Sequence, residues 1–140
     1  MISGHFRSWR DVKQSEWPWP NFTPEEMACR GSGELLVVPV FMERLQRLRA
    51  AFGRPMPVTS GYRTPAHNAR VSSTGTDGPH TTGRAVDIAV SGSDAFELVR
   101  LALACGFTGI GVRQRGAWNG RFIHLDDIES PGIRPRIWSY

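Results

Sequence analysis

Cysteine is scarce in this sequence and lysine nearly absent. Cys29 and Cys105 stand far apart and outside any CxxC pair, which argues against a thiolate metal site or a redox dithiol. Cys105, in the apolar run Leu101–Cys105, reads as a small core residue. Long apolar runs are missing too: the longest, Leu35 to Met42, is broken by Pro39, far short of the ~18 residues a membrane span needs. Met1 to Lys13 carries His5, Arg7, Arg10 and Asp11 where a secretion signal would need an apolar centre. The expectation is a product made in the cytoplasm without a signal peptide and with no membrane partner. There is no internal repeat, no low-complexity tract and no glycine-rich phosphate loop between a strand and a helix, so a doubly wound parallel sheet is not expected.

At 140 residues the chain can bury roughly two thirds of its unfolded surface and needs no disulfide to hold a core. Apolar residues at 40% and charged ones at 21% are the composition of a folded globule. The 15 glycines and 10 prolines imply many turns and short elements, against an all-helical bundle. A net charge of +4, carried by 16 arginines and the single Lys13, suits either a polyanionic partner such as a cell wall or a merely solvated surface. The arginines form no run and no basic helix, so a nucleic-acid partner is not expected.

Trp9, Trp17 and Trp19, set among polar residues and prolines, mark residues 1–21 as an arm packed by its aromatics on a domain spanning 22–140. Thr23-Pro24-Glu25-Glu26 is a capped helix start, stopped by Gly31-Ser32-Gly33. From Pro39, Phe41, Leu45, Leu48 and Phe52 recur every three or four residues, predicting an amphipathic helix that closes at Gly53. A strand is predicted over Met56–Gly61, a short helix from Thr64-Pro65 to Val71, and a loop over Ser72–Pro79. Arg84–Val90 alternates as a strand with Asp87 on its small-residue face. Asp94 and Glu97 read as a capping pair for a helix ending at Gly106. Gly109–Arg113 and Arg121–Asp126 flank Asn119-Gly120, which predicts a type I′ hairpin. Period two places Phe122, His124 and Asp126 on one side of the second strand, with Ile123 and Leu125 toward the core. The predicted fold class is α+β: a small antiparallel-rich sheet with helices against one side.

His80 at a loop end, Asp87 on a strand and His124 on a hairpin strand are candidate metal ligands. Two imidazoles and a carboxylate suit a catalytic zinc, because three protein ligands leave a fourth position open. By spacing alone, a buried histidine bonded to a carboxylate explains the same residues.

The context of these residues is more specific. Ser60-Gly61-Tyr62-Arg63, Asn68, His80-Thr81-Thr82-Gly83-Arg84-Ala85-Val86-Asp87-Ile88, Gly109-Ile110-Gly111-Val112 and Phe122-Ile123-His124-Leu125-Asp126 follow one another. In that order they resemble the zinc D-Ala-D-Ala carboxypeptidase family, which includes murein endopeptidases and phage endolysins and shares its fold with the zinc domain of hedgehog proteins. The resemblance runs from about Phe22 to Trp138 and includes the closing Arg136-Ile137-Trp138.

The resemblance implies that His80, Asp87 and His124 hold Zn2+. It also implies that Arg63 faces the scissile carbonyl oxygen, a task suited to a guanidinium because charge grows on that oxygen; the plainer alternative is a surface salt bridge. Several relatives carry an acidic general base three positions before the last histidine, where this chain has Arg121. Asp126, on the His124 strand face, is then the candidate base or, equally, a second carboxylate that orients a histidine; Asp127 and Glu129 are fallbacks. Relatives often have a substrate-contacting serine two positions before His80, where this chain has Gly78, so an endopeptidase is as well supported as a carboxypeptidase. Gly83 reads as a positive-φ or close-approach position between two ligands.

The implied function is zinc-dependent hydrolysis of a peptide bond in peptidoglycan stem peptides or cross-bridges, by a monomer; the lack of an export signal adds the expectation of a phage or prophage lysis protein that reaches the cell wall through a membrane lesion. The alternative is a non-catalytic, zinc-containing wall-binding or morphogenetic module, which the missing acid at Arg121 favours.

Overall fold

A computed structural model describes residues 1–140. Strand β1 (Gly4–Phe6) precedes two 3-10 turns, Trp9–Asp11 and Gln14–Glu16. The indoles of Trp17 and Trp19 meet edge to face, 4.9 Å apart, and both are buried. Each finds an acceptor: Trp17 Nε1 donates to the Phe22 carbonyl at 2.6 Å and Trp19 Nε1 to Glu43 at 3.2 Å. An indole can enter a core at low cost only when its N–H is bonded. In helix α1 (Pro24–Met27), Thr23 Oγ1 accepts from the Glu26 amide while Glu26 Oε1 accepts from the Thr23 amide. The sequence pattern predicts this capping box. Strand β2 (Leu35–Val37) pairs antiparallel with β1.

Helix α2 (Pro39–Phe52) buries Phe41, Met42, Leu45, Leu48 and Phe52 and ends at Gly53 with φ of +69°. Strand β3 (Val58–Ser60) leads to helix α3 (Pro65–Val71), capped by Thr64. A 3-10 turn, Pro79–Thr82, then enters strand β4 (Ala85–Ala89). Helix α4 (Gly92–Ala104) buries Ala95, Leu98 and Ala102.

The helix starts earlier than Asp94 and Glu97 suggest. Its N-cap is Ser91, with no side-chain cap, and the two acids pair with Arg54 and Arg100 instead. Ion pairing has taken the carboxylates that a capping box would use.

Strands β5 (Gly109–Arg113), β6 (Phe122–Asp126) and β7 (Arg136–Ser139) complete a sheet of order β3-β4-β6-β5-β7. All neighbours are antiparallel except β7, which runs parallel to β5. The fold is thus α+β, as its pattern predicts.

Asn119-Gly120 does not make a type I′ turn. Those residues lie in a 3-10 turn, Trp118–Gly120, and Gly120 is not among the positive-φ glycines. The connection runs from Gln114 to Arg121, too long for a two-residue turn that needs positive φ at both positions.

One face of the sheet presents Val86, Ile88, Ile110, Ile123 and Leu125, all buried in the same cluster as Leu45 and Leu98 of the helices. The other face presents Asp87, His124, Asp126 and Trp138. Strand alternation therefore separates core from chemistry. Cys29 is buried and Cys105 half-buried against the core, both as free thiols.

Candidate metal centre

Register brings the strand residues together: Asp87 of β4 is the direct partner of His124 of β6. His80 arrives from the Pro79–Thr82 turn, whose backbone is tied to the segment between β3 and α3 because the Arg63 amide donates to the His80 carbonyl at 3.1 Å. Gly83 then reverses the chain with φ of +73°, and a Cβ there would stand 2.9 Å from Leu36 Cγ. Both sequence readings of this glycine apply at once.

The donor atoms of His80, Asp87 and His124 all lie within 4.8 Å of one another, and all three residues are buried. His80 Nε2 is 3.3 Å and His124 Nδ1 3.1 Å from the same Asp87 oxygen. The opposite ring nitrogens are also occupied. His80 Nδ1 lies 2.7 Å from the Gly61 carbonyl, and His124 Nε2 lies 2.8 Å from Asp126 Oδ2. A carbonyl can only accept, so Nδ1 of His80 carries a proton and Nε2 is the atom left to face a metal. When His124 is neutral, its Nε2–H donates to Asp126 and its Nδ1 lone pair faces inward in the same way. This is how imidazole ligands are oriented for a metal, and the two-nitrogen, one-oxygen set fits zinc.

The electrostatics are those of a tightly bonded cluster. Burial alone would raise the Asp87 carboxyl, but the hydrogen bonds and charges of His124 and His80 outweigh it and hold the group well below the usual carboxylate range. Burial opposes protonation of His124, yet its bonds to Asp126 and Asp87 raise its pKa above the ordinary histidine value. Asp126 is pushed down to about 2, against its burial, by its bonds to His124 and Arg134.

Asp126 is fully buried and both its oxygens are committed. Oδ2 serves His124 and Arg134, while Oδ1 accepts from Arg134 Nε at 3.0 Å. It does not line the open cavity. That placement fails the general-base expectation, which needs contact with solvent or substrate, and suits the orienting one. Gly109, its partner on β5, makes the room: a Cβ there would lie 2.2 and 2.3 Å from the two carboxylate oxygens. Asp127 is locked between Arg44 and Arg84, and Glu129 borders a separate small depression. Arg121 stacks over Trp118 and donates to the Gly116 carbonyl, away from the cavity.

Arg63 does line the cavity. Its Nε donates to Ser60 Oγ at 3.0 Å, its Nη1 to Asn68 Oδ1 at 3.1 Å, and its Nη2 lies 3.5 Å from Asp87 Oδ2. The only carboxylate it meets is the candidate ligand itself, so it is not an ordinary surface ion pair.

The cavity holds about 500 Å³, with His80, Asp87 and His124 in its lining beside Ser72–Thr74 on one wall. Arg134, Arg136, Trp138 and Tyr140 form another wall that sequence reasoning did not assign. The signal was available: read with period two, Arg136, Trp138 and Tyr140 share one strand face. Trp138 approaches the His124 ring to 5.0 Å over Gly111, where a Cβ would stand 2.8 Å from Trp138 Nε1 and 2.9 Å from His124 Cβ.

No curated protein and no solved structure gives a significant match to the chain. A family model described as Peptidase M15 matches residues 20–126.

Proposed function

The chain belongs to the peptidase M15 family of metallopeptidases, and from that premise we propose that it hydrolyses a peptide bond in bacterial peptidoglycan with a zinc ion held by His80, Asp87 and His124. The observation that carries this reading is the convergence of two imidazoles, each anchored by its outer nitrogen, on one buried carboxylate lining a polar cavity. When bound, zinc supplies Lewis acidity, lowering the pKa of a water to roughly 7 and polarising a carbonyl. Arg63 stands beside Asp87 with its guanidinium already fixed by Ser60 and Asn68. Such a preset cation stabilises the oxyanion that develops as the scissile carbonyl is attacked, with no reorganisation at the moment of reaction. Asp126 keeps His124 in the tautomer that a ligand needs, and Arg134 keeps Asp126 ionised.

The arginine-bearing cavity and the chain's net positive charge favour anionic wall fragments as substrates. The proposed setting is wall lysis by a phage-encoded protein. Stem peptides or cross-bridges digested with the zinc-loaded protein, with and without chelator and with His124→Ala, give fragment masses that identify the bond cut. Identical fragments in all three arms would overturn the hydrolase reading.

One observation supports a second reading. Apart from Asp87, no carboxylate lines the cavity, so the proton relay of the relatives has no acidic counterpart there. A wall-binding module would bind zinc and peptidoglycan yet release no new amino groups in the same digestion.

A further inference from the structure

Asn68 is completely buried, yet its side chain forms no part of the candidate metal centre. All its polar atoms are used. Oδ1 accepts from Arg63 Nη1 at 3.1 Å, and Nδ2 donates to Thr74 Oγ1 at 2.8 Å and to the Gly75 carbonyl at 2.5 Å. Its backbone carbonyl accepts from the Ser72 amide at 2.9 Å. One side chain thus joins the cationic group over the centre to the hydroxyl-bearing wall of the cavity. The fit is close: a Cβ on Gly78 would lie 2.1 Å from Thr74 Oγ1 and 2.8 Å from Asn68 Nδ2. The wall can settle onto Asn68 only because residue 78 has no side chain. Thr74 is further tied to Ser72, whose Oγ lies 2.9 Å from Thr74 Oγ1 and also accepts from the Thr74 amide.

We propose that Asn68 is a positioning residue that couples the Ser72–Gly75 wall to Arg63, so that the bonds of the wall help hold the guanidinium in its preset place. This rests on the function proposed above for the site, in which Arg63 meets the developing oxyanion. The physical basis is the amide itself. It is the one neutral side chain of this size that can accept from a guanidinium and donate twice to oxygens, and in a buried network each bond constrains the next. A fully buried amide with both ends committed cannot yield at one end without disturbing the other.

The test uses zinc-loaded, 15N-labelled protein without substrate. It follows hydrogen exchange at the Arg63 Nη1–H, the group that Asn68 accepts, alongside zinc affinity and steady-state kinetics on wall peptides. Thr74→Val removes the wall hydroxyl without touching Arg63. The expected result is about tenfold faster exchange at Arg63 and a kcat lowered about tenfold, the cost of one lost hydrogen bond, with zinc affinity unchanged. Thr74→Ser, which keeps the hydroxyl, restores both. In Asn68→Asp the Arg63 acceptor remains but the donors to the wall are gone, so adding Thr74→Val there has no further effect on Arg63. Unaltered Arg63 exchange in Thr74→Val, or the same change in both backgrounds, overturns the proposal. If Asn68→Asp does not fold, the contrast between valine and serine at position 74 still decides. A wild-type protein that cleaves no wall peptide counts against the hydrolase reading alone, because exchange at Arg63 reports the coupling without turnover.

Discussion

Asp126 Oδ2 lies 2.8 Å from His124 Nε2, on the side of the ring facing away from Asp87. The two carboxylates thus grip one imidazole from opposite edges, and only one of them lines the cavity.

Asp126→Asn keeps the shape but removes the charge that holds the His124 proton and pairs with Arg134. Zinc affinity is expected to fall about 10- to 100-fold, as when other outer-shell partners of metal-bound histidines are lost. Competition against a chromophoric chelator measures it; an unchanged affinity would sink the orienting role.

Acid should unfold the metal-free protein through the same carboxylate. The folded pKa of Asp126, about 2, lies below its ordinary value of 3.8. Its contribution is therefore complete above about pH 4 and is lost as pH falls toward 2. The shift is worth about 2 kcal/mol. Denaturant midpoints between pH 5 and 2 should drop more steeply for the native sequence than for Asp126→Asn.

His124 titrates with the opposite sign. Its pKa is raised in the folded, metal-free protein, so that contribution is present below its unfolded value near 6.5 and is lost as pH climbs through the raised one. A ligand imidazole must be neutral. Zinc binding at pH 6 should accordingly release a proton from this group, seen as a buffer-dependent heat in calorimetry, and affinity should increase with pH. A heat independent of buffer would contradict this.

Arg63→Lys retains the charge and loses the planar fork that bonds Ser60 and Asn68 together. On the proposed mechanism kcat should fall about a hundredfold, with zinc occupancy intact by elemental analysis. An equal loss of zinc would instead assign Arg63 to holding the ligands in place.

Gly109→Ala tests the space around Asp126. Its Cβ would collide with both carboxylate oxygens, forcing the side chain off His124 at a cost of about 2 kcal/mol. Thermal unfolding of the metal-free variant should show this, together with weaker zinc binding.

The sequence carries the near neighbours of the site well and the distant ones poorly. Strand alternation alone puts Asp87 and His124 on one face with the core residues Ile88 and Ile123 on the other, and the Thr23 and Thr64 caps locate their helices. What local pattern does not determine is pairing across the chain. The parallel seat of β7 beside β5 and the Arg134–Asp126 ion pair depend on segments brought together only by folding. Asp94 shows the converse, since Arg54, distant in sequence, claims a carboxylate that local rules assign to a cap. Asn119-Gly120 is a turn signal overruled by the length of the connection around it.

The edge strand Arg136–Ser139 has a consequence for biosynthesis. His80, Asp87, Asp126 and His124 have all been translated before it, but the cleft lacks its Trp138 and Arg136 side until that strand docks along Gly109–Val112. A chain synthesised only as far as Asp126 therefore holds the donor set without the finished cleft, and on the proposed reading hydrolytic competence waits for the docking of β7.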